Sequence, residues 1–302
     1  MSTLQIRHET RYDYPSPVTS ALHLAYLRPL NDEAQSLLAH ALHVDPAPDE
    51  QLDERDPYGN LRRRLALLAG HRCLTVRAES RVRLRPRFAA LQPAASPAWE
   101  TVRERLHYVA GAAHEAAGEF VQPSPYVPRL DALRELARAS FAPGRPLAEA
   151  AIEAMHRLHR DFEYLEGSTD IDTPLTHVLA RRQGVCQDFA HLLIGMLRRI
   201  GLPARYVSGY MLTRAPDSGQ AMVGADATHA WVQVWAPDTA GVPADGWLDL
   251  DPTNDCVPGT GHVRLAVGRD YGDVTPLRGV IRGGAGHVLT VAVQTQLIGD
   301  AD

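Results

Sequence analysis

The strongest constraint on the fold is one apolar stripe. Phe189, Leu192, Leu193, Met196, Leu197 and Ile200 recur in steps of three, one, three, one and three, which lines one face of an α-helix. Gly201-Leu202-Pro203 follows at once, and glycine just past a helix with proline beyond it is a stop signal. A helix striped on one side must lie against other elements, so the chain has to supply a partner layer. Cys186 stands three residues before Phe189 and heads the face that turns inward. Free cysteine is often only a core residue. At a helix start, however, unpaired N–H groups and the helix dipole favour an anion, here a thiolate.

The partner layer is legible further on. Ala227-Thr228-His229-Ala230-Trp231-Val232-Gln233-Val234-Trp235 alternates with period two, so His229, Trp231, Gln233 and Trp235 share one face of a predicted strand. In Gly246-Trp247-Leu248-Asp249-Leu250-Asp251 the residues Trp247, Asp249 and Asp251 share a face, and the gap between the two segments suits a hairpin. Antiparallel pairing then sets a carboxylate beside His229. Asp249 and Asp251 point the same way about 7 Å apart along the strand, so one of them reaches the imidazole. Period alone leaves both open; the strand end at Asp251-Pro252-Thr253 favours Asp251. A cysteine-led helix, a histidine strand and an acidic strand together supply a nucleophile, a base and an orienter.

At 302 residues the chain is about twice a usual domain, which predicts two units. Residues 1–93 read as an antiparallel β domain. Leu4 to Tyr14 is strand-like and stops at Pro15 and Pro17, Asp56-Pro57-Tyr58-Gly59-Asn60 is a turn, and Arg81-Val82-Arg83-Leu84-Arg85 alternates strictly. Acids crowd residues 32–56 and arginines residues 62–87, a pattern expected from charges paired across neighbouring strands rather than from a docking surface. Residues 94–302 form the second unit, with helices over Ala98–Ala117, Leu130–Ser140, Gly144–Asp161 and Pro174–Arg181, and a late strand over Gly286–Gln296. The fold class is α+β.

Composition narrows the function. A net charge of −5 calls for no nucleic acid. No apolar run approaches the roughly 20 residues of a membrane span, and the first residues lack a secretory pattern, so a cytoplasmic location is expected. Three separated cysteines make neither a disulfide framework nor a cysteine-rich zinc site. Among the 14 histidines, His156 and His159 come nearest to a ligand pair; without a matching third ligand no metal is expected. All 31 basic residues are arginine, so the side chains carry no primary amine.

Gly184-Val185-Cys186-Gln187-Asp188-Phe189-Ala190, His229-Ala230-Trp231 and Trp247 through Thr253 resemble the transglutaminase-like superfamily of papain-fold cysteine enzymes. The residue gaps of 43 and 22 from cysteine to histidine and histidine to aspartate suit it. Arg11-Tyr12-Asp13-Tyr14, Asp56 to Asn60, Ala204 to Tyr210 and Gly268 to Tyr271 are similar to further signatures of its bacterial members. The resemblance implies a papain-like core, with the cysteine helix packed on an antiparallel sheet. It also implies Cys186 as nucleophile, His229 as general base and acid, and Asp251 as the group orienting His229. The expected chemistry is acyl transfer on a peptide or protein amide through a thioester, with hydrolysis preferred over glutamine transamidation, and a non-catalytic binding module as the rival class. The Cys186 backbone N–H is the expected oxyanion donor, with Gln187 or Tyr164 as second donor and Trp231 and Trp247 as walls of the site. No cofactor is expected, and no oligomeric state is set.

Overall fold

The computed structural model describes residues 1–111, 113–214, 222 and 228–298. In chain order the elements begin with five strands: β1 (Ser2–Ala25), β2 (Gln35–Asp45), β3 (Glu50–Arg55), β4 (Leu61–Leu67) and β5 (His71–Leu84). Then come α1 (Trp99–Glu104), α2 (Asp131–Arg138), α3 (Leu147–Asp161), the two-residue β6 (Glu163–Tyr164), α4 (Leu175–Arg181), β7 (Gln183–Gly184) and α5 (Cys186–Arg199). The last part holds β8 (Ala204–Met211), β9 (His229–Trp235), β10 (Trp247–Leu250), β11 (His262–Gly268), α6 (Tyr271–Val274), β12 (Leu277–Gly283) and β13 (Val288–Ile298).

The N-terminal sheet is built on β1, which does not stop at Pro15 as the sequence suggested. It continues through Pro15 and Pro17 because its pairing with β5 shifts register between Asp13 and Val18. Both prolines fall in that lapse, where their missing N–H groups interrupt no ladder bond. The first half of β1 lies between β5 and β13, with Thr3 opposite Ile298, and the second half between β4 and β12, with Ala25 opposite Leu277. Residues 277–298, assigned by sequence to the 94–302 unit, thus complete the N-terminal sheet. Alternation identifies a strand but not the edge it will join. Within this sheet Arg62 meets Glu54 at 2.7 Å and Arg63 meets Asp53 at 2.5 Å across β3 and β4, so these oppositely charged tracts pair with each other.

The second layer is a four-stranded sheet in the order β10-β9-β8-β11, all antiparallel, with α5 lying on it. The stripe on α5 is buried throughout, from Phe189 to Ile200. Around α5 pack α2, α3 and α4, and Leu133, Met155, Leu158 and Val178 close one core with it. The helix expected over Ala98–Ala117 is shorter: α1 ends at Glu104 and a 3-10 turn covers Ala116–Val121. Residues 107–111 and 113–116 are exposed, so no partner layer supplies the packing that sustains a short helix. Ala112 and Ala227, within the expected helix and strand, lie outside the described residues.

The N-terminal sheet also grips the open side of β11. The Gln35 side chain donates to Arg264 O and accepts from Arg264 N, each at 2.8 Å. Asn60 does the same at Val267, donating at 2.7 Å and accepting at 2.8 Å. Two side-chain amides thus satisfy an edge strand as a neighbouring strand would.

Candidate active site

The site begins at the N-terminus of α5, where Cys186 is the first helical residue and partly buried. Asp188, in the first turn, folds back so that its Oδ2 accepts from Val185 N at 2.9 Å and from Thr169 Oγ1 at 2.6 Å. Gly184 permits this turn, since a Cβ there would stand 2.8 Å from the Asp188 side chain. Tyr164 pairs with Gly184 in the short parallel ladder of β6 and β7, which brings it to the segment leading into Cys186.

His229 heads β9 opposite Gly209 of β8, and both His229 and Asp251 are fully buried. His229 Nε2 lies 2.8 Å from Asp251 Oδ2. An ionised carboxylate only accepts, so Nε2 carries a proton, and in the neutral ring Nδ1 is the nitrogen left free. Nδ1 is buried without another partner, and the Cys186 side chain lies close enough to interact with the ring. Burial works against the imidazolium, but the charge and hydrogen bond of Asp251, aided by Cys186, push His229 up to about 10. Burial likewise works against the Asp251 carboxylate, yet His229 and then His262 hold it well below the usual carboxylate range.

The choice between the two aspartates is decided by register. Asp249 stands opposite Gln233, which donates to it and accepts from Arg205 at 2.7 Å. Asp251 lies one residue past β10, held by a two-way backbone bridge to Cys256. The turn that follows is braced from α3: His156 contacts Asp255, and His159 Nδ1 donates to Pro252 O at 3.2 Å. These two histidines therefore support the Asp251 turn.

The other expected residues separate. Trp231 stacks on His229 with ring centres 5.9 Å apart, and its indole N–H is buried without a partner. Gly209 makes room for it, because a Cβ there would meet the Trp231 ring at 2.4 Å. Trp247 pairs with Trp235 at the far end of β9 and is covered by Phe120 and by Arg205, 4.0 Å above its ring. It packs the sheet away from His229. Gln187 sits beside Cys186, half-buried.

Sequence reasoning missed His262 and Asn254. His262 Nε2 lies 3.1 Å and Asn254 Nδ2 2.9 Å from the same Asp251 Oδ2. The signal for His262 was present: like His229, it heads an alternating strand, His262-Val263-Arg264-Leu265-Ala266-Val267. Among the described residues, His229, Asp251 and His262 are a group able to hold a metal ion, their ligand atoms lying within 4.8 Å of one another. Both nitrogen–oxygen separations are hydrogen-bond lengths, and an ion would have to displace both Nε2 protons.

Comparison with known proteins decides the family. Residues 4–83 match the bacterial transglutaminase-like N-terminal region, and residues 134–252 match the transglutaminase-like superfamily. The chain belongs to the transglutaminase-like superfamily. This transglutaminase-like protein is 42% identical over 280 residues to an uncharacterized Mycobacterium tuberculosis protein, Rv2569c, covering 92% of this chain and 87% of the relative. A protein-glutamine gamma-glutamyltransferase of Pseudomonas aeruginosa is 31% identical over 134 residues, 43% of this chain and 19% of that enzyme. A Cytophaga hutchinsonii crystal structure, named as that of a candidate cysteine protease, superposes with a TM-score of 0.72 at 23% identity, covering 100% of this chain and 92% of the other. That likeness is one of fold. Among the described residues, no helix is long and apolar enough to cross a membrane.

Proposed function

We propose that this transglutaminase-like protein is a thiol-dependent acyl-transfer enzyme acting on amide bonds of a peptide or protein. Cys186 is its nucleophile, His229 its acid and base, and Asp251 the group that orients His229. The observation that carries the reading is the His229–Asp251 hydrogen bond at 2.8 Å, which leaves the buried Nδ1 of His229 for the thiol proton. His229 takes that proton, and the sulfur attacks the amide carbonyl carbon to give a tetrahedral oxyanion. The Cys186 backbone N–H, which has no intrahelical acceptor at the first helical position, donates to that oxyanion. Imidazolium at His229 protonates the leaving nitrogen, the C–N bond breaks, and a thioester remains on Cys186. Water, deprotonated by His229, attacks the thioester and releases the acid. Hydrolysis is the preferred outcome because it needs only water at the thioester, whereas transamidation needs water excluded and a second amine held. With no lysine in the chain, an amine acceptor would come from outside or from the chain's own N-terminus.

The test is to incubate the full chain with a glutamine-containing peptide, with and without a primary amine, and to follow products by mass spectrometry beside Cys186→Ala. Ammonia release or peptide cleavage that ignores the amine and vanishes in Cys186→Ala is expected. Amine incorporation would replace hydrolysis by transamidation. Products formed equally by Cys186→Ala would defeat acyl transfer at this site.

A further inference from the structure

His262 is buried at the head of β11, eleven residues beyond Asp251, and has no place in the reaction as written above. It stands opposite Met211 on β8, and His229 stands opposite Gly209 on the other side of the same strand. The two histidines therefore reach inward from the strands flanking β8 and meet at one carboxylate oxygen. Asp251 Oδ2 receives His229 Nε2 at 2.8 Å, Asn254 Nδ2 at 2.9 Å and His262 Nε2 at 3.1 Å. Oδ1 is held separately by the backbone N–H groups of Thr253 at 3.0 Å and Asn254 at 3.2 Å. His262 has a second route to the base: its ring meets Trp231 edge to face at 5.3 Å, and Trp231 stacks on His229.

Resting on the acyl-transfer reading above, we propose that His262 is a positioning residue. By donating Nε2–H to Asp251 Oδ2, it fixes the carboxylate and so the orientation and tautomer of His229. The carboxylate can only accept, so neutral His262 must be the Nε2–H tautomer, just as neutral His229 must be. Buried carboxylates are costly unless their lone pairs are filled, and His262 fills one that solvent cannot reach. Without that donor Asp251 binds a proton more readily, so the protein should lose its reactive thiol at a higher pH than before.

The experiment measures the rate at which iodoacetamide alkylates Cys186 against pH, in the full-length wild type, His262→Phe and His262→Gln. Phenylalanine keeps the ring against Trp231 but removes the donor; glutamine carries an amide N–H to about the same place. Wild type should label at Cys186 ahead of Cys73 and Cys256. His262→Phe should be slower by about tenfold or more at neutral pH, the order of loss that misplaced groups produce, and its acid limb should move to higher pH. His262→Gln should recover both. A packing role would slow either variant without moving the limb, and that result overturns the proposal. Should His262→Phe fail to fold, nitrogen-15 spectra of wild-type histidine decide the matter, because His262 as the Nδ1–H tautomer has no proton to give Asp251. If wild-type Cys186 labels no faster than the other two cysteines, the acyl-transfer reading itself fails and takes this proposal with it.

Discussion

Asp251→Asn tests the centre of the site with a change of one atom. In the wild type, five N–H groups point at the two carboxylate oxygens, from His229, His262, the Asn254 side chain and the Thr253 and Asn254 backbones. An asparagine has one oxygen to offer them. With its oxygen toward the two backbone groups, its NH2 faces three other donors. The histidines then escape only by moving their protons to Nδ1, which for His229 is the nitrogen that receives the thiol proton in the proposed reaction. With the amide flipped, its NH2 faces two backbone N–H groups that have no alternative tautomer. At roughly 1–3 kcal/mol for each buried group left unpaired, the cost is about 2–6 kcal/mol, a large part of an ordinary stability of roughly 5–15 kcal/mol. A wrong tautomer of this kind lowers turnover about 10⁴-fold in a triad, and a comparable loss is expected here. The pH dependence has a definite sign. His229 is raised to about 10, so its contribution to stability is present in full below about pH 6.5 and fades as pH rises toward 10. Asp251 is depressed, so its contribution is present above about pH 4 and is lost as pH falls toward its folded value. The gap in denaturation midpoint between wild type and variant should therefore be widest from about pH 4 to 6.5. Denaturant unfolding across pH 3 to 10 reads that gap, and Cys186 alkylation reads the chemistry. A folded Asp251→Asn protein with the wild-type alkylation profile and the same midpoint would falsify the account.

Asp249→Asn is the matched control: an asparagine oxygen still accepts from Gln233, so Cys186 alkylation should stay within about threefold of wild type and unfolding within about 1 kcal/mol, as read by the same two assays. Gly209→Ala should do the opposite, since the added Cβ would sit 2.2 Å from Val263 O and 2.4 Å from the Trp231 ring. Overpacking of that kind costs about 1–3 kcal/mol or more, and the displaced Trp231 should slow alkylation of Cys186 together with the fall in denaturation midpoint.

The parts of the fold legible in sequence are those set by local rules. The α5 stripe and its Gly201 stop determine a helix without reference to anything distant, and the alternation from His229 to Trp235 determines a face. What escaped depends on partners far along the chain. Pro15 and Pro17 look like strand breakers, and only the lapse in pairing with β5 makes them harmless. The helix expected beyond Glu104 had propensity but nothing to lie against. Asp249 and Asp251 share one face, and the sequence could not say that Gln233 would claim the first. His262 carried the same local signal as His229, but its meaning needed β11 to pair with β8, a contact that closes only once the chain has passed through two other strands.

That same pairing gives the N-terminal sheet a physical part in the site. Edge strands are held on one side only, and β11, which carries His262, is the edge of its sheet. Its open N–H and C=O groups at Arg264 and Val267 are taken by Gln35 and Asn60. Asn60 is in turn fixed by Asp56, whose Oδ2 accepts from its side chain at 2.7 Å across the turn at Gly59. Gly59 adopts a φ of +83°, the left-handed region that favours glycine. The turn that sequence marked at Asp56 to Asn60 is therefore the base of a clamp on β11. Through β11 it bears on His262, through His262 on Asp251, and through Asp251 on the ring of His229.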